Sequence, residues 1–165
     1  YFFGILYQEA GGSLTGVGLT FLLFALSEVP VMLVVQGLAD RYSPAWLLLA
    51  AALLADLRWL LYAAPVPPWV LVATFPLNGL SNGVFLALIP VLTSQLAGPH
   101  LKATALAAAG VAGFGLGAIF TSTVGGVILD RWGVAAIYVF LGLLGVVGVV
   151  ASAMVVRLTP PAAGR

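Results

Sequence analysis

Two short stretches decide how this chain is organised: Gly37-Leu38-Ala39-Asp40-Arg41 and Gly126-Val127-Ile128-Leu129-Asp130-Arg131-Trp132-Gly133. Each stretch follows one long apolar run and precedes another. The two Asp-Arg pairs are 90 positions apart (130 minus 40), and three apolar runs long enough to cross a bilayer lie between them. Because three is an odd number, the two pairs are expected to face opposite sides of a membrane. The chain therefore contains a helix-Asp-Arg-helix unit that is repeated with inverted topology.

The composition places the chain in lipid. Hydrophobic residues make up 62% of it and charged residues only 7%, whereas a soluble domain carries roughly 25% charged residues. So few charges do not cover a water-facing surface. The period-2 alternation of a membrane barrel does not recur, and helices satisfy their own backbone polar groups in lipid. The composition predicts an all-α, polytopic transmembrane helical bundle.

Several kinds of site are excluded by residue counts. The chain has no cysteine, which excludes disulfides, Cys-ligated zinc and iron–sulfur clusters. The single histidine, His100, excludes a multi-histidine metal site. A net charge of +1 without a basic cluster gives no indication of nucleic-acid binding. No metalloprotease motif or Ser/His pair is present in a span, so we expect neither a cofactor nor enzymatic activity.

The apolar runs and the Gly- or Pro-rich breaks between them predict one partial helix and five complete ones. Their predicted ranges are 1–8, 14–38, 45–64, 69–96, 103–129 and 135–156. Turns are predicted at 9–13, 40–44, 65–68 and 98–102. The chain begins inside an apolar segment, so we expect it to be cut on its N-terminal side. We divide it into a transmembrane bundle, residues 1–156, and a polar, Pro-rich cytoplasmic tail, residues 157–165.

Small residues recur at helical spacing in the last two predicted helices. Gly113 and Gly117 form a GxxxG pattern, and Gly142, Gly145 and Gly148 follow in the final helix. Such residues let helix backbones approach closely in membranes. Static helix packing is one interpretation, and a sliding surface for rocking motions is the other.

With these residues in view, the chain resembles the C-terminal six-helix half of the major facilitator superfamily. The pair Asp40-Arg41 is similar to the family's signature between the second and third helices of each half. The Asp130-Arg131 copy fits that signature better, because Gln36 and Ser43-Pro44 replace two usual positions in the first copy. The resemblance implies about five and a half transmembrane helices in a 3+3 inverted repeat, an arrangement known from secondary transporters.

Three further motifs are similar to the branch that contains oligosaccharide, nucleoside and phenylpropionate proton symporters. They are Ser27-Glu28-Val29-Pro30, Leu57-Arg58-Trp59-Leu60-Leu61-Tyr62-Ala63 and Leu77-Asn78-Gly79-Leu80-Ser81-Asn82-Gly83. Asn78 stands where this branch often has histidine. The resemblance implies proton-coupled transport of a small polar solute by alternating access, with a missing N-terminal six-helix half as partner.

Three ionisable residues lie deep within predicted spans: Glu28, Asp56 and Arg58. A charge there costs about 2.5–3.5 kcal/mol on insertion scales, so such residues usually face a cavity or each other. Glu28 and Arg58 differ in depth by about 8 Å, and the resemblance implies that both line a substrate cavity. We interpret Glu28 as a proton carrier or substrate ligand; the alternative is a structural ion pair with Arg58. Asp56 lies about 200° around the helix from Arg58, and we expect it to be structural.

Uncharged and helix-end residues complete the predicted site. Asn78, Asn82 and Phe85 share one helix face at i, i+4 and i+7, where amides can bind solute hydroxyl groups and Phe85 can stack on a ring. The alternative is interhelical hydrogen bonding, worth about 0.6 kcal/mol per contact. The pairs Asp40-Arg41 and Asp130-Arg131 are predicted to lie in gating loops, the alternative being solvated charges.

Two other functions are compatible with the same sequence. A multidrug or sugar efflux permease would use the same transporter architecture. A non-transporting membrane scaffold or receptor on the same fold belongs to another class, because fold does not determine function.

The distribution of basic residues predicts the orientation of the chain in a plasma or bacterial inner membrane. Arg41, Lys102, Arg157 and Arg165 fall on one side and Arg131 on the other. The side rich in Lys and Arg is cytoplasmic by the positive-inside rule, so the C-terminus is expected inside and the Asp130-Arg131 turn outside.

We expect a reporter fused after Arg165 to read cytoplasmic, and a cysteine introduced at Gly133 to react with an impermeant maleimide in intact cells. The absence of natural cysteine makes the parent chain an unlabelled control. Labelling at Gly133 only after cell lysis would reverse the predicted orientation.

Overall fold

The computed structural model describes residues 2–158, and these form helices without any strand. The elements are α1 (Phe3–Glu9), α2 (Leu14–Arg41), α3 (Pro44–Ala63), α4 (Pro68–Leu96), α5 (Gly98–Gly110), a π-helical segment (Val111–Gly117), α6 (Ala118–Trp132) and α7 (Val134–Leu158). Five helical stretches are long and apolar enough to cross a membrane: α2, α3, α4, the continuous run Gly98–Trp132, and α7. The predicted all-α transmembrane bundle is confirmed.

Local signals explain where several of these helices start and stop. The Ser13 side chain accepts a hydrogen bond from the Gly16 backbone N–H at 3.1 Å and caps the start of α2. Pro44 occupies the first turn of α3, where its missing N–H is not needed. Gly133, with φ of 78°, separates α6 from α7 in a backbone conformation that favours glycine.

The predicted loops at residues 40–44 and 98–102 are corrected by the structure. Asp40 and Arg41 belong to the last turn of α2, where the Arg41 cation is favourably placed near the negative end of the helix dipole. Residues 98–102 already form the start of α5, since the break after α4 is confined to Ala97 and to Gly98, whose φ is 69°. The Asp130-Arg131 pair likewise lies within α6.

The ends of the predicted bundle also shift. Arg157, predicted to begin the tail, lies in α7, which continues to Leu158. The remainder of the predicted tail, residues 159–165, and the first residue of the predicted partial helix, Tyr1, lie outside the described residues.

Helix α4 lies at the centre of the packing. It contacts α2 on one side and α3 on another, and it also contacts α5, the next helix in the chain. Helix α3 also packs on α7, which in turn contacts α6. Because α4 lies between α2 and α3, polar residues of α2 and of α3 each contact α4 rather than each other.

Two buried clusters hold the helices together. The first is aromatic: Phe3 lies 4.1 Å from Phe75 between ring centroids, and Tyr62 packs edge-on against Tyr138 at 5.4 Å. It joins α1, α3, α4 and α7. The second is aliphatic and joins α2, α3 and α4 through Val35, Leu48, Leu88 and Leu92. Lipid offers no hydrophobic driving force between helices, so the fit of these side chains stabilises the bundle.

Close helix approach occurs at glycines other than the predicted GxxxG pair. A β-carbon on Gly79 would overlap with Ser27 Oγ and the Phe24 carbonyl oxygen of α2, and one on Gly83 would lie 3.0 Å from the Glu28 carbonyl oxygen. In contrast, a β-carbon on Gly113 would meet no atom within 4 Å. The close contact between α2 and α4 is therefore made at Gly79 and Gly83.

The glycines of α7 also differ in whether another helix lies against them. Gly142 and Gly145 of α7 pack closely on Leu60 and Asp56 of α3, as the packing interpretation predicts. Gly148 faces open space.

We expect Gly79→Ala to destabilise the protein by about 1–3 kcal/mol, the usual cost of overpacking, because the added methyl group meets backbone as well as side chain. Thermal unfolding of the purified protein in detergent measures the change. Gly148→Ala is the matched control, since its methyl group enters open space. Equal melting temperatures for the two variants would contradict the close approach of α2 and α4.

Candidate functional site

Four polar side chains from three spans meet in the middle of the bundle. Glu28 comes from α2, Arg58 from α3, and Asn78 and Asn82 from α4. Asn78 and Asn82 are one helical turn apart on α4 and therefore project from the same side of it. We call these four residues the polar cluster.

Two hydrogen bonds connect the polar cluster across the helices. Asn82 Nδ2 donates to Glu28 Oε1 at 2.6 Å, which joins α4 to α2. Arg58 Nη2 donates to Asn78 Oδ1 at 2.9 Å, which joins α3 to α4. Hydrogen bonds with one ionised partner are stronger than neutral ones, so each contact both orients a charge and links two spans.

Glu28 and Arg58 do not form an ion pair with each other in the described part of the chain. Each binds instead to its own asparagine of α4. The alternative of a direct structural ion pair is therefore not the arrangement found. The amides of α4 separate the two charges, and Glu28 is free to change its partner without directly unpairing Arg58.

Arg58 is deeply buried, with 6% of its surface exposed. Its guanidinium carbon lies 4.9 Å from the centroid of the Tyr62 ring and 5.8 Å from that of Phe75. Cation–π attraction at such distances offsets part of the cost of burying the charge. Arg58 Nε is buried without a hydrogen-bond partner, so the cation is only partly compensated by its neighbours.

Asp56 faces a different helix from Arg58, as their angular separation predicts. It is 7% exposed and lies against Gly145 of α7. Its Oδ1 atom is buried without a hydrogen-bond partner. Asp56 is therefore separate from the polar cluster.

Glu28 and Asn82 are only partly buried, and Asn82 lies at the edge of a groove between α4 and α5. The groove has a volume of about 440 Å³. Its lining residues are Asn82, Phe85, Leu86, Ile89, Pro90, Leu106, Ala109, Gly110, Gly113 and Phe114. The predicted substrate set is thus divided: Asn82 and Phe85 line the groove, whereas Asn78 binds the buried Arg58.

The charged helix ends lie away from the polar cluster. Asp40 and Arg41 are exposed at the end of α2, and Asp130 and Arg131 are exposed near the end of α6. A gating role for these four residues stays a prediction. No group of three or more His, Asp or Glu side chains suited to a metal ion occurs within residues 2–158.

Sequence reasoning missed three contributors to the site. Tyr62 follows Arg58 by four positions, so helical spacing alone places its ring beside the guanidinium group. Gly79 and Gly83 flank Asn82 in a small-xxx-small pattern that would have indicated a close helix contact. Their role was obscured by the more conspicuous glycines of residues 110–117.

These features define a multi-pass helical membrane protein with a polar site inside its bundle. The sequence model of the MFS_1-like family matches residues 1–140. The chain therefore belongs to this family of the major facilitator superfamily.

Two curated relatives support the same assignment. The chain is 41% identical over 148 residues to a maltose permease of Geobacillus stearothermophilus, which covers 90% of this chain and 38% of the relative. It is 28% identical over 147 residues to an uncharacterised transporter, YwbF, of Bacillus subtilis strain 168, covering 89% and 37% respectively. The chain thus spans less than two fifths of the length of either relative. No solved structure matches it significantly.

We expect Asn78→Ala to destabilise the protein by about 1.5–3 kcal/mol, the range for hydrogen bonds to charged groups. It removes the one hydrogen-bond acceptor that Arg58 has among the described residues. The melting temperature in detergent measures the effect.

Asn78→Asp is the matched control, because it keeps an acceptor of the same shape. The double variant Arg58→Met/Asn78→Ala is expected to regain part of the lost stability, since no buried cation is left unpaired. A wild-type melting temperature for Asn78→Ala would show that this contact does not stabilise Arg58.

Proposed function

We propose that this chain is the C-terminal half of a permease that carries a small polar solute, sugar- or nucleoside-like, across the membrane together with protons. The solute would bind between this half and an N-terminal six-helix half. Rocking of the halves would expose the site to each side in turn. The 41% identity to a protein named maltose permease supports a sugar rather than a nucleoside as the solute.

The observation that carries the proposal is the environment of Glu28. A carboxylate at membrane depth is costly and usually serves an ion pathway or a substrate. Glu28 is only partly buried, has no cation beside it among the described residues, and accepts one hydrogen bond from Asn82. A carboxylate held by a single amide is able to exchange that partner for a proton or a solute.

Asn82 and Phe85 are proposed as substrate contacts. Asn82 joins the groove to Glu28, so a solute hydroxyl that binds the Asn82 amide competes with the carboxylate for the same group. When the solute takes the amide, Glu28 loses its donor, and proton uptake leaves a neutral group in its place. This competition couples solute binding to protonation through a single side chain.

Arg58 and Asn78 are assigned a supporting role in this mechanism. The buried cation provides a constant positive potential behind α4, and Asn78 holds it in place. The exposed pairs Asp40-Arg41 and Asp130-Arg131 are proposed to act at the two gates, one on each side of the membrane. The C-terminus is proposed to be cytoplasmic.

The test is Glu28→Gln in the full-length permease, assayed with radiolabelled maltose in energised vesicles. Glutamine keeps shape and hydrogen bonding but does not titrate. We expect accumulation against the gradient to be lost, so that inside and outside concentrations become equal, while exchange of labelled for unlabelled solute persists. Glu9→Gln, the change at the other glutamate of this chain, is expected to leave accumulation intact.

Protein level and the double variant Glu28→Gln/Arg58→Gln separate coupling from folding. Under the coupling role, the double variant does not regain accumulation. Restored accumulation in the double variant, or full accumulation by Glu28→Gln at normal protein level, would overturn the assignment.

A further inference from the structure

The groove beside Asn82 has a second wall that the proposed substrate contacts do not use. This wall consists of residues 106, 109 and 110 of α5 and residues 113 and 114 of the π-helical segment. Their spacing of three and four positions places them on one continuous face. We call this face, Leu106 to Phe114, the α5 wall.

The glycines of the α5 wall are not explained by packing inside this chain. A β-carbon on Gly110 or Gly113 would meet no atom within 4 Å. The backbone of Gly110 is ordinary right-handed helix, with φ of −63° and ψ of −47°, a conformation open to any residue. Glycine in a helix interior costs about 1 kcal/mol relative to alanine. Gly110 and Gly113 therefore leave the base of the groove without side chains, and we call these two residues the glycine floor.

Aromatic side chains stand on both sides of this floor. Phe114 projects from the π-helical segment with 73% of its surface exposed. Phe85 lies on the opposite wall, formed by α4. Short π-helical stretches inside α-helices occur frequently at functional sites.

The polar end of the groove has a defined hydrogen-bonding character. Asn82 Nδ2 is already engaged with Glu28, while no hydrogen bond within residues 2–158 uses its Oδ1. While Asn82 keeps its hydrogen bond to Glu28, its Oδ1 atom therefore remains available as an acceptor to a molecule in the groove. The volume of 440 Å³ lies within the range of about 300–1,000 Å³ usual for small-molecule pockets.

We propose that the α5 wall is a binding subsite for one ring of the transported solute, with Phe114 as a specificity-determining residue. The ring is that of a polyol with an apolar face, such as a pyranose. Its apolar face lies on the glycine floor against Phe114. One of its hydroxyl groups donates to Asn82 Oδ1, and the oxygen of a neighbouring hydroxyl competes with Glu28 for Asn82 Nδ2. This inference rests on the proposed function, because it deepens the same site.

The experiment uses the full-length permease and measures the KM for maltose uptake, together with protein level and melting temperature. Gly113→Leu fills the groove from its floor, and Phe114→Ala removes the aromatic face. Both are expected to raise KM about tenfold or more, equivalent to about 1.4 kcal/mol of lost binding, at unchanged melting temperature. Gly148→Leu is the matched control, since it also adds a side chain in open space but outside the groove.

A wild-type KM in both variants overturns the subsite while leaving the proposed function intact. A fall in protein level or melting temperature for Gly113→Leu but not for Gly148→Leu shows that a helix of the other half fills the groove, and also overturns it. If the wild-type permease does not transport maltose, the assay is repeated with a nucleoside. Failure with both solutes counts against the proposed function, whereas direct binding of either one that is weakened by Phe114→Ala still supports the subsite.

Discussion

The close approach of α2 and α4 is the constraint on which the rest of the site depends. Gly79 and Gly83 have no side chains to separate the two backbones at the level of Glu28. Only at this separation does the short Asn82 side chain reach the carboxylate at 2.6 Å. In lipid, such a contact is needed because an isolated charge at this depth is costly. The same segment of α4 therefore provides both the close helix contact and the hydrogen bond to Glu28.

The two charged residues of the polar cluster differ in burial. Arg58 is almost completely buried between α3 and α4 and is held by an amide and two aromatic rings. Glu28 is partly exposed and binds Asn82, which lines a groove. An arginine side chain keeps its proton in proteins because it is strongly basic, whereas a partly exposed carboxylate is accessible to protons and solutes. This asymmetry is the physical basis of the proposal that Glu28 carries the proton while Arg58 stays charged.

The packing of the bundle is similarly uneven. Helices α3 and α4 have many buried residues, whereas α2 and the run Gly98–Trp132 leave most of their apolar side chains uncovered. In lipid such faces are stable without a protein neighbour, but they also suit contact with another helical half. The groove and the π-helical segment lie on the uncovered run, where a change in backbone shape disturbs few contacts.

The sequence by itself determined the class of the protein, its spans and the identity of its costly charges. Apolar runs of bilayer length and the near absence of charge leave only membrane helices, and the Asp-Arg repeat indicated the inverted arrangement. Glu28 and Arg58 stood out because charged residues in a span are rare. Helix ends were not determined in this way, since Asp40 and Arg41 extend α2 where their polarity predicted a loop.

Only the tertiary structure decided how the charges are partnered. Periodicity places Asn78 and Asn82 on one face of α4, but it does not say which helix lies opposite each of them. That depends on α4 packing between α2 and α3, and on Gly79 and Gly83 rather than Gly113 and Gly117 forming the close contact. Glycine has the same sequence signal whether it admits a neighbouring helix or leaves space open, and only the position of the neighbours distinguishes the two.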